Sequence, residues 1–279
     1  MTVIADMKKA VIGPGRVISY LEQGNGEPVL LLHGVGSAAR SWLGQLQAPA
    51  AGCRFIAWDA PGYGDSTMLA ENAPPPRDYA DAVAAFVGAL GLKKFHLIGH
   101  SLGALVATCY ARHYPEPIQS LTLASIAPGH AWMTEEERAR LRSGRLDTLD
   151  KLGARGMAEA RGPGLLTADA TDAMRRTVIE TMAAIRPDGW RQAVRMLSQG
   201  DTRSDLAAVV PSLPVQIIFG SDDTVTPPAS NLRTASARPQ APIHEIAGAG
   251  HACYVEKPTE FNRLIARFIH AHPISGSPS

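Results

Sequence analysis

A chain of 279 residues, 45% of them hydrophobic, is long enough to bury a full core, and single α/β domains commonly reach this size. Twenty-seven basic residues against 26 acidic ones leave a net charge of +1, a balance that offers no footprint for nucleic acid, anionic lipid or another polyanion. The expected partner is therefore a small molecule, with no nucleic acid and no membrane, and the even charge says nothing about oligomeric state.

The N-terminal stretch MTVIADMKKAVIGPG lacks the apolar core of a signal peptide, and no segment approaches the roughly 20 apolar residues of a membrane helix, so a cytoplasmic protein is expected. Cys53, Cys109 and Cys253 are scattered, with no CxxC or Cys/His spacing suited to a metal, which predicts free thiols and no metal site. Along the chain, RVISYLEQG (16–24), PVLLLHG (28–34) and RFIAWDAPG (54–62) read as strands rich in β-branched or aromatic residues and ending at glycine. Pro74 to Pro76 mark a loop. In the following DYADAVAAFVGALGL (78–92), Val83, Phe86, Val87 and Leu90 recur at helical spacing, with Gly91 as a stop. KFHLIGH (94–100) is a strand, LGALVATCYARHYP (102–115) a helix, and IQSLTLASIAP (118–128) a strand again. Continuous apolar strands alternating with helices predict a mostly parallel, twisted sheet flanked by helices on both faces.

From Gly129 to Pro211 the rhythm changes. TEEERARLRSGRLDTLDKL (134–152), TADATDAMRRTVIETMAAI (167–185) and DGWRQAVRMLSQG (188–200) are amphipathic helical segments with no strand between them, so 129–211 reads as a helical insertion. Strands resume at PVQIIFG (214–220) and PIHEIAG (242–248). PTEFNRLIARFIHAH (258–272) closes the chain as a helix with Phe261, Leu264, Ile265 and Phe268 on one face. The expected organisation is a core of 1–128 with 212–273, an inserted unit of 129–211, and a disordered tail of 274–279.

The pentapeptide GHSLG at 99–103 places Ser101 between a strand and a helix, the context in which such a motif holds a serine on a strained turn as a nucleophile. The competing reading is a hydroxyl that merely caps the helix. A serine nucleophile needs a base, and the base needs an orienting carboxylate. Downstream, GSDDTVTPP offers Asp222 and Asp223 after a strand, and EIAGAGHACY offers His251 in a glycine-flanked loop.

With GHSLG, an acid and a histidine in that chain order, the sequence resembles the α/β-hydrolase superfamily over nearly its whole length, and the layout of DGWRQAVRMLSQGDTRSDLAAVVPSLPVQIIFGSDD (188–223) is similar to that of 3-oxoadipate enol-lactonases and related carboxylesterases. The resemblance implies an α/β-hydrolase fold in which the insertion is a helical lid. Its G-x-x-D-x-x-x-P register selects Asp223, closed by Pro227, and its glycine turn before the base is reproduced by GAGH, giving a triad of Ser101, Asp223 and His251. The oxyanion hole is then the backbone N–H groups of Val35, which follows His33-Gly34, and Leu102, which follows the serine. His33, as a brace of that loop, and Gly34 are placed beside the substrate, as are Trp132 and Trp190 at the edges of the insertion, with core packing the alternative for the tryptophans. DAPGYGDS (59–66) resembles a family signature, but it reads as turn chemistry in which Asp59 and Ser66 bond nearby backbone.

Cys253 reads as a small buried residue. Arg138, Arg142, Arg191 and Arg195 are candidates for a substrate carboxylate, with surface ion pairs the competing reading. The implied activity is hydrolysis of a small carboxylic ester or enol-lactone through an acyl-enzyme, without metal or cofactor. Carbon–carbon hydrolysis of diketone acids is the runner-up, although those relatives carry HGGGPG and a methionine after the serine where this chain has HGVGSA and Leu102. A non-catalytic small-molecule receptor on the same fold is the alternative from another class.

Overall fold

The computed structural model describes residues 6–274. Its eight strands are β1 (Lys8–Gly13), β2 (Arg16–Gly24), β3 (Glu27–Leu32), β4 (Cys53–Trp58), β5 (Phe95–His100), β6 (Ile118–Ala124), β7 (Val215–Gly220) and β8 (Ile243–Ile246). They form one sheet in the order β1-β2-β4-β3-β5-β6-β7-β8. The pairs from β4-β3 through to β7-β8 are parallel, and only β1-β2 and β2-β4 are antiparallel. Strand β1 was not foreseen. KKAVIG has a single buried side chain, Ala10, so it has neither an apolar run nor a full alternation to announce it.

The central strands are buried on both faces because helices cover both. Along β3, Leu30 and Leu32 pack into a cluster with Val83, Phe86 and Leu105, while the alternate residues Val29 and Leu31 pack into another with Trp42, Phe261 and Ile265. The helices that supply these faces are α1 (Leu43–Leu46), α2 (Pro76–Ala89) and α3 (Leu102–His113) in the first half of the chain. Pro76, expected in the loop, instead opens α2 at a position where a missing N–H costs nothing.

Between β6 and β7 the regular structure is helical: α4 (Glu135–Arg161), α5 (Asp172–Ala183), α6 (Pro187–Leu197) and α7 (Thr202–Ala208). Thr134 caps α4 in a capping box with Glu137, and the helix breaks at Gly153, where φ is 65° and ψ 178°. Helix α6 anchors the insertion to the core. Gln192 Nε2 donates to Leu69 O at 3.0 Å, and a Cβ on Gly189 would stand 2.0 Å from Gly62 O. The chain ends with α8 (Pro228–Ala235), α9 (Cys253–Glu256) and α10 (Pro258–Ala271). On α10 the buried residues are Phe261, Leu264, Ile265 and Ile269; Phe268 is half-buried and packs on His272 instead. Of the tail expected from 274, Ile274 donates its N–H to Glu27 Oε1 at 3.0 Å, and 275–279 lie outside the described residues. Among the described residues no helix is long and apolar enough to cross a membrane.

Candidate active site

Ser101 joins β5 to α3 with φ 52° and ψ −115°, a backbone that side chains rarely adopt. The turn is possible because its flanks carry no side chains: a Cβ on Gly99 would lie 2.3 Å from Gly103 O, and one on Gly103 would lie 2.1 Å from Leu32 O. The Ser101 N–H donates to Ala124 O at 2.9 Å, which ties the elbow to β6. Its hydroxyl makes no capping bond to α3, so the capping reading has no support in the geometry.

The loop after β7 resolves the choice between two neighbouring aspartates. Asp222 is exposed and accepts a bond from Ser221 Oγ, whereas Asp223 is buried. Asp223 Oδ1 accepts the N–H groups of Val225 and Thr226, each at 2.8 Å, and Oδ2 accepts Thr226 Oγ1 at 2.8 Å and His251 Nδ1 at 2.9 Å. Burial alone would raise its pKa, but the hydrogen bond and coulombic attraction of His251, with the Thr226 donors, hold the carboxyl below its usual range. His251 is held from behind as well, since His100 Nε2 donates to His251 O at 2.9 Å. Burial, reinforced by the neighbouring His251, brings the His100 pKa down to about 3, so His100 is neutral. Neither Thr226 nor His100 was singled out from the sequence; each sits inside a quoted motif, GSDDTVTPP and GHSLG, where any small polar residue would have satisfied the pattern.

Ser101 and His251 line one cavity of about 420 Å³, with Gly34 and Val35 from the core and Met182 and Trp190 from the insertion. Leu102, buried, begins α3, where its N–H has no intrahelical acceptor. The Val35 carbonyl accepts the Tyr63 hydroxyl at 2.7 Å, which fixes the peptides around it.

Two expected substrate contacts are corrected. His33 is not on the cavity wall: its Nδ1 donates to Gly34 O at 2.8 Å and its Nε2 accepts the Ala60 N–H at 3.0 Å, so both nitrogens are spent bracing the loop. Trp132 is 58% exposed, because its indole N–H turns back to Gly129 O at 3.1 Å, and it lines a separate surface groove. The DAPGYGDS stretch also reaches further than a local turn. Asp59 accepts the Ala39 N–H and the Ser19 hydroxyl, each at 2.8 Å, and Ser66 accepts the Ser19 N–H at 2.9 Å. Cys253 is buried and its thiol is pushed up to about 12 by burial, so it is no nucleophile at neutral pH.

A model of the alpha/beta hydrolase fold matches residues 27–258, and the chain belongs to that family of enzymes. Among curated relatives, it is 30% identical over 274 residues to the dihydrolipoyllysine-residue acetyltransferase component of the acetoin cleaving system of Pseudomonas putida, covering 95% of this chain and 70% of that one. It is 28% identical over 262 residues, 89% of this chain and 90% of the other, to a 2-hydroxy-6-oxononadienedioate/2-hydroxy-6-oxononatrienedioate hydrolase of a Pseudomonas species. Among solved structures, a thermophilic esterase from Thermogutta terrifontis superposes with a TM-score of 0.85 at 24% identity, covering 96% of this chain and 100% of that one. The enol-lactonase from Burkholderia xenovorans LB400 gives 0.82 at 19% identity, covering 93% and 98%. The chain is an α/β-hydrolase enzyme similar to esterases and enol-lactonases of this fold.

Proposed function

We propose that this enzyme cleaves a small carboxylic ester or enol-lactone by two-step acyl transfer through Ser101, His251 and Asp223. The observation that carries the reading is the buried Asp223–His251 pair, 2.9 Å apart, opening on the same cavity as a serine held in a strained turn. With Nδ1–H directed at Asp223, His251 has Nε2 as the unprotonated nitrogen, the form a general base requires. His251 takes the hydroxyl proton of Ser101 as its oxygen attacks the carbonyl carbon. The N–H groups of Val35 and Leu102 hold the oxyanion, and Asp223 stabilises the imidazolium. Collapse expels the alcohol or enolate, protonated by His251, and leaves an acyl-serine. Water, deprotonated by the same histidine, then releases the acid and restores the serine.

Hydrolysis of p-nitrophenyl acetate and butyrate, with a lactone panel, tests this directly. Ser101→Ala is expected to lose about 10⁴- to 10⁶-fold in turnover. Equal rates for variant and wild type would remove Ser101 as nucleophile, and inactivity of both would move a binding role to the front. Carbon–carbon hydrolysis is the second reading, favoured by the similarity to the oxononadienedioate hydrolase of Pseudomonas. A dienone-acid substrate in the same panel separates the two.

A further inference from the structure

The acyl-transfer scheme has no use for the basic groups on the insertion side of its own cavity. Arg145 and Arg161 of α4, and His130 in the loop before it, line the cavity that holds Ser101 and His251. Other arginines of the insertion have carboxylate partners: Arg138 and Arg142 bond Glu135, Arg155 bonds Glu180, and Arg191 bonds Asp150 and Asp188. The candidates Arg138, Arg142 and Arg191 thus sit in surface pairs, the competing reading, and Arg195 bonds Asn72.

Arg145 differs from all of these. It is half-buried, and its pKa is brought down to about 10, first by burial and then by the like charge of Arg161, with no carboxylate acting against either. His130 is repelled by the same guanidinium: burial and then Arg145 bring it down to about 4, and its buried Nδ1 has no hydrogen-bond partner among the described residues. A half-buried guanidinium with a like charge nearby and no carboxylate partner among the described residues is an unfavourable arrangement that an anion relieves. The same cavity is lined by Met157, Val178 and Met182, side chains that suit an anion carried on a short hydrocarbon chain.

We infer that the substrate bears a second carboxylate, separate from the scissile ester, which binds Arg145 with Arg161 beside it: a monoester of a short dicarboxylic acid, or a lactone with a free acid group. The assignment rests on the acyl-transfer reading for the position of the ester, and on Arg145 and its surroundings for the charge. The planar fork of Arg145 suits a bidentate carboxylate.

The test compares kcat/KM for mono-p-nitrophenyl glutarate with that for p-nitrophenyl butyrate, in wild type, Arg145→Gln, Arg145→Lys and the surface control Arg155→Gln. Arg145→Gln is expected to lower the anionic-to-neutral ratio by about 10- to 100-fold, mainly through KM on the anionic ester, as loss of a charged hydrogen-bond pair does. Arg145→Lys should recover part of the ratio, and Arg155→Gln should leave it unchanged. An unchanged ratio in Arg145→Gln overturns the proposal. Calorimetry of free glutarate with Ser101→Ala, with and without Arg145→Gln, reads the anion site without turnover. Binding lost on removal of Arg145 supports the site, and absence of binding to Ser101→Ala overturns it. Ser101→Ala hydrolysing as fast as wild type would instead defeat the acyl-transfer reading, and the glutarate titration would still decide the charge.

Discussion

Ser101 occupies a backbone region that costs on the order of 1–3 kcal/mol, and the surrounding bonds keep it there: Ala124 O takes its N–H, and the Ala104 and Ala127 N–H groups converge on its carbonyl. The same over-determination holds Asp223, which accepts four hydrogen bonds from Val225, Thr226 and His251. Because its folded pKa lies below the usual 3.8, ionised Asp223 contributes stability that is complete at neutral pH and is lost as pH falls through the folded value. Thermal midpoints of wild type and Asp223→Asn should therefore differ most near neutral pH and converge below the usual 3.8. The same variant should lose about 10⁴-fold in kcat at neutral pH, since an amide no longer holds the histidine in the required tautomer. Turnover within a few-fold of wild type would show that Asp223 does not orient the base. Side by side in sequence, Asp222 and Asp223 are chemically equal; only the family register favoured Asp223, and burial with three local donors is what separates them.

At the scale of elements, two glycines matter for opposite reasons. Gly103 has an ordinary backbone, but α3 approaches β3 so closely there that a Cβ would lie 2.1 Å from Leu32 O. Gly153 has open space around it, but its φ of 65° and ψ of 178° belong to a region almost reserved for glycine, and it breaks α4 there. Gly103→Ala is expected to lower stability by about 1–3 kcal/mol or more through overpacking, read from the urea midpoint at unchanged slope. Gly153→Ala is expected to lose about 1–3 kcal/mol through strain alone. An unchanged midpoint for Gly153→Ala would mean that α4 can straighten, and KM would then report the shift, because Arg145 and Met157 lie on either side of the break. The break falls one residue past the stretch TEEERARLRSGRLDTLDKL (134–152), and nothing in the sequence announced it, because glycine beside a helical pattern signals only a lower propensity, not which backbone it adopts.

Over the whole molecule, the sheet separates two apolar clusters, and the cavity lies where the insertion meets the C-terminal ends of β5 and β7. Side chains of the insertion, Met157, Val178 and Met182 among them, form part of the cavity lining. Met182 reaches from α5 toward the loop after β3, where a Cβ on Gly36 would meet its Cε at 2.7 Å. Met182→Ala should therefore widen the site and raise the kcat/KM ratio of p-nitrophenyl hexanoate to acetate by about 10-fold, the scale of one or two methylenes in an apolar pocket. A ratio that does not move would place the acyl chain elsewhere. By itself the sequence determined the alternation of buried strands and helices, the helical insertion, the elbow around Ser101 and the order in which acid and histidine follow it, because these are local patterns written in spacing, glycine placement and apolar runs. Only the tertiary structure decided that Asp223 rather than Asp222 meets His251, that His33 braces while Trp132 faces solvent, that Lys8–Gly13 adds an edge strand, and that Arg145 and Arg161 rather than Arg138 or Arg142 line the cavity. Each of those depends on burial and on partners far away in the chain, and such contacts exist only once the sheet has brought the segments together.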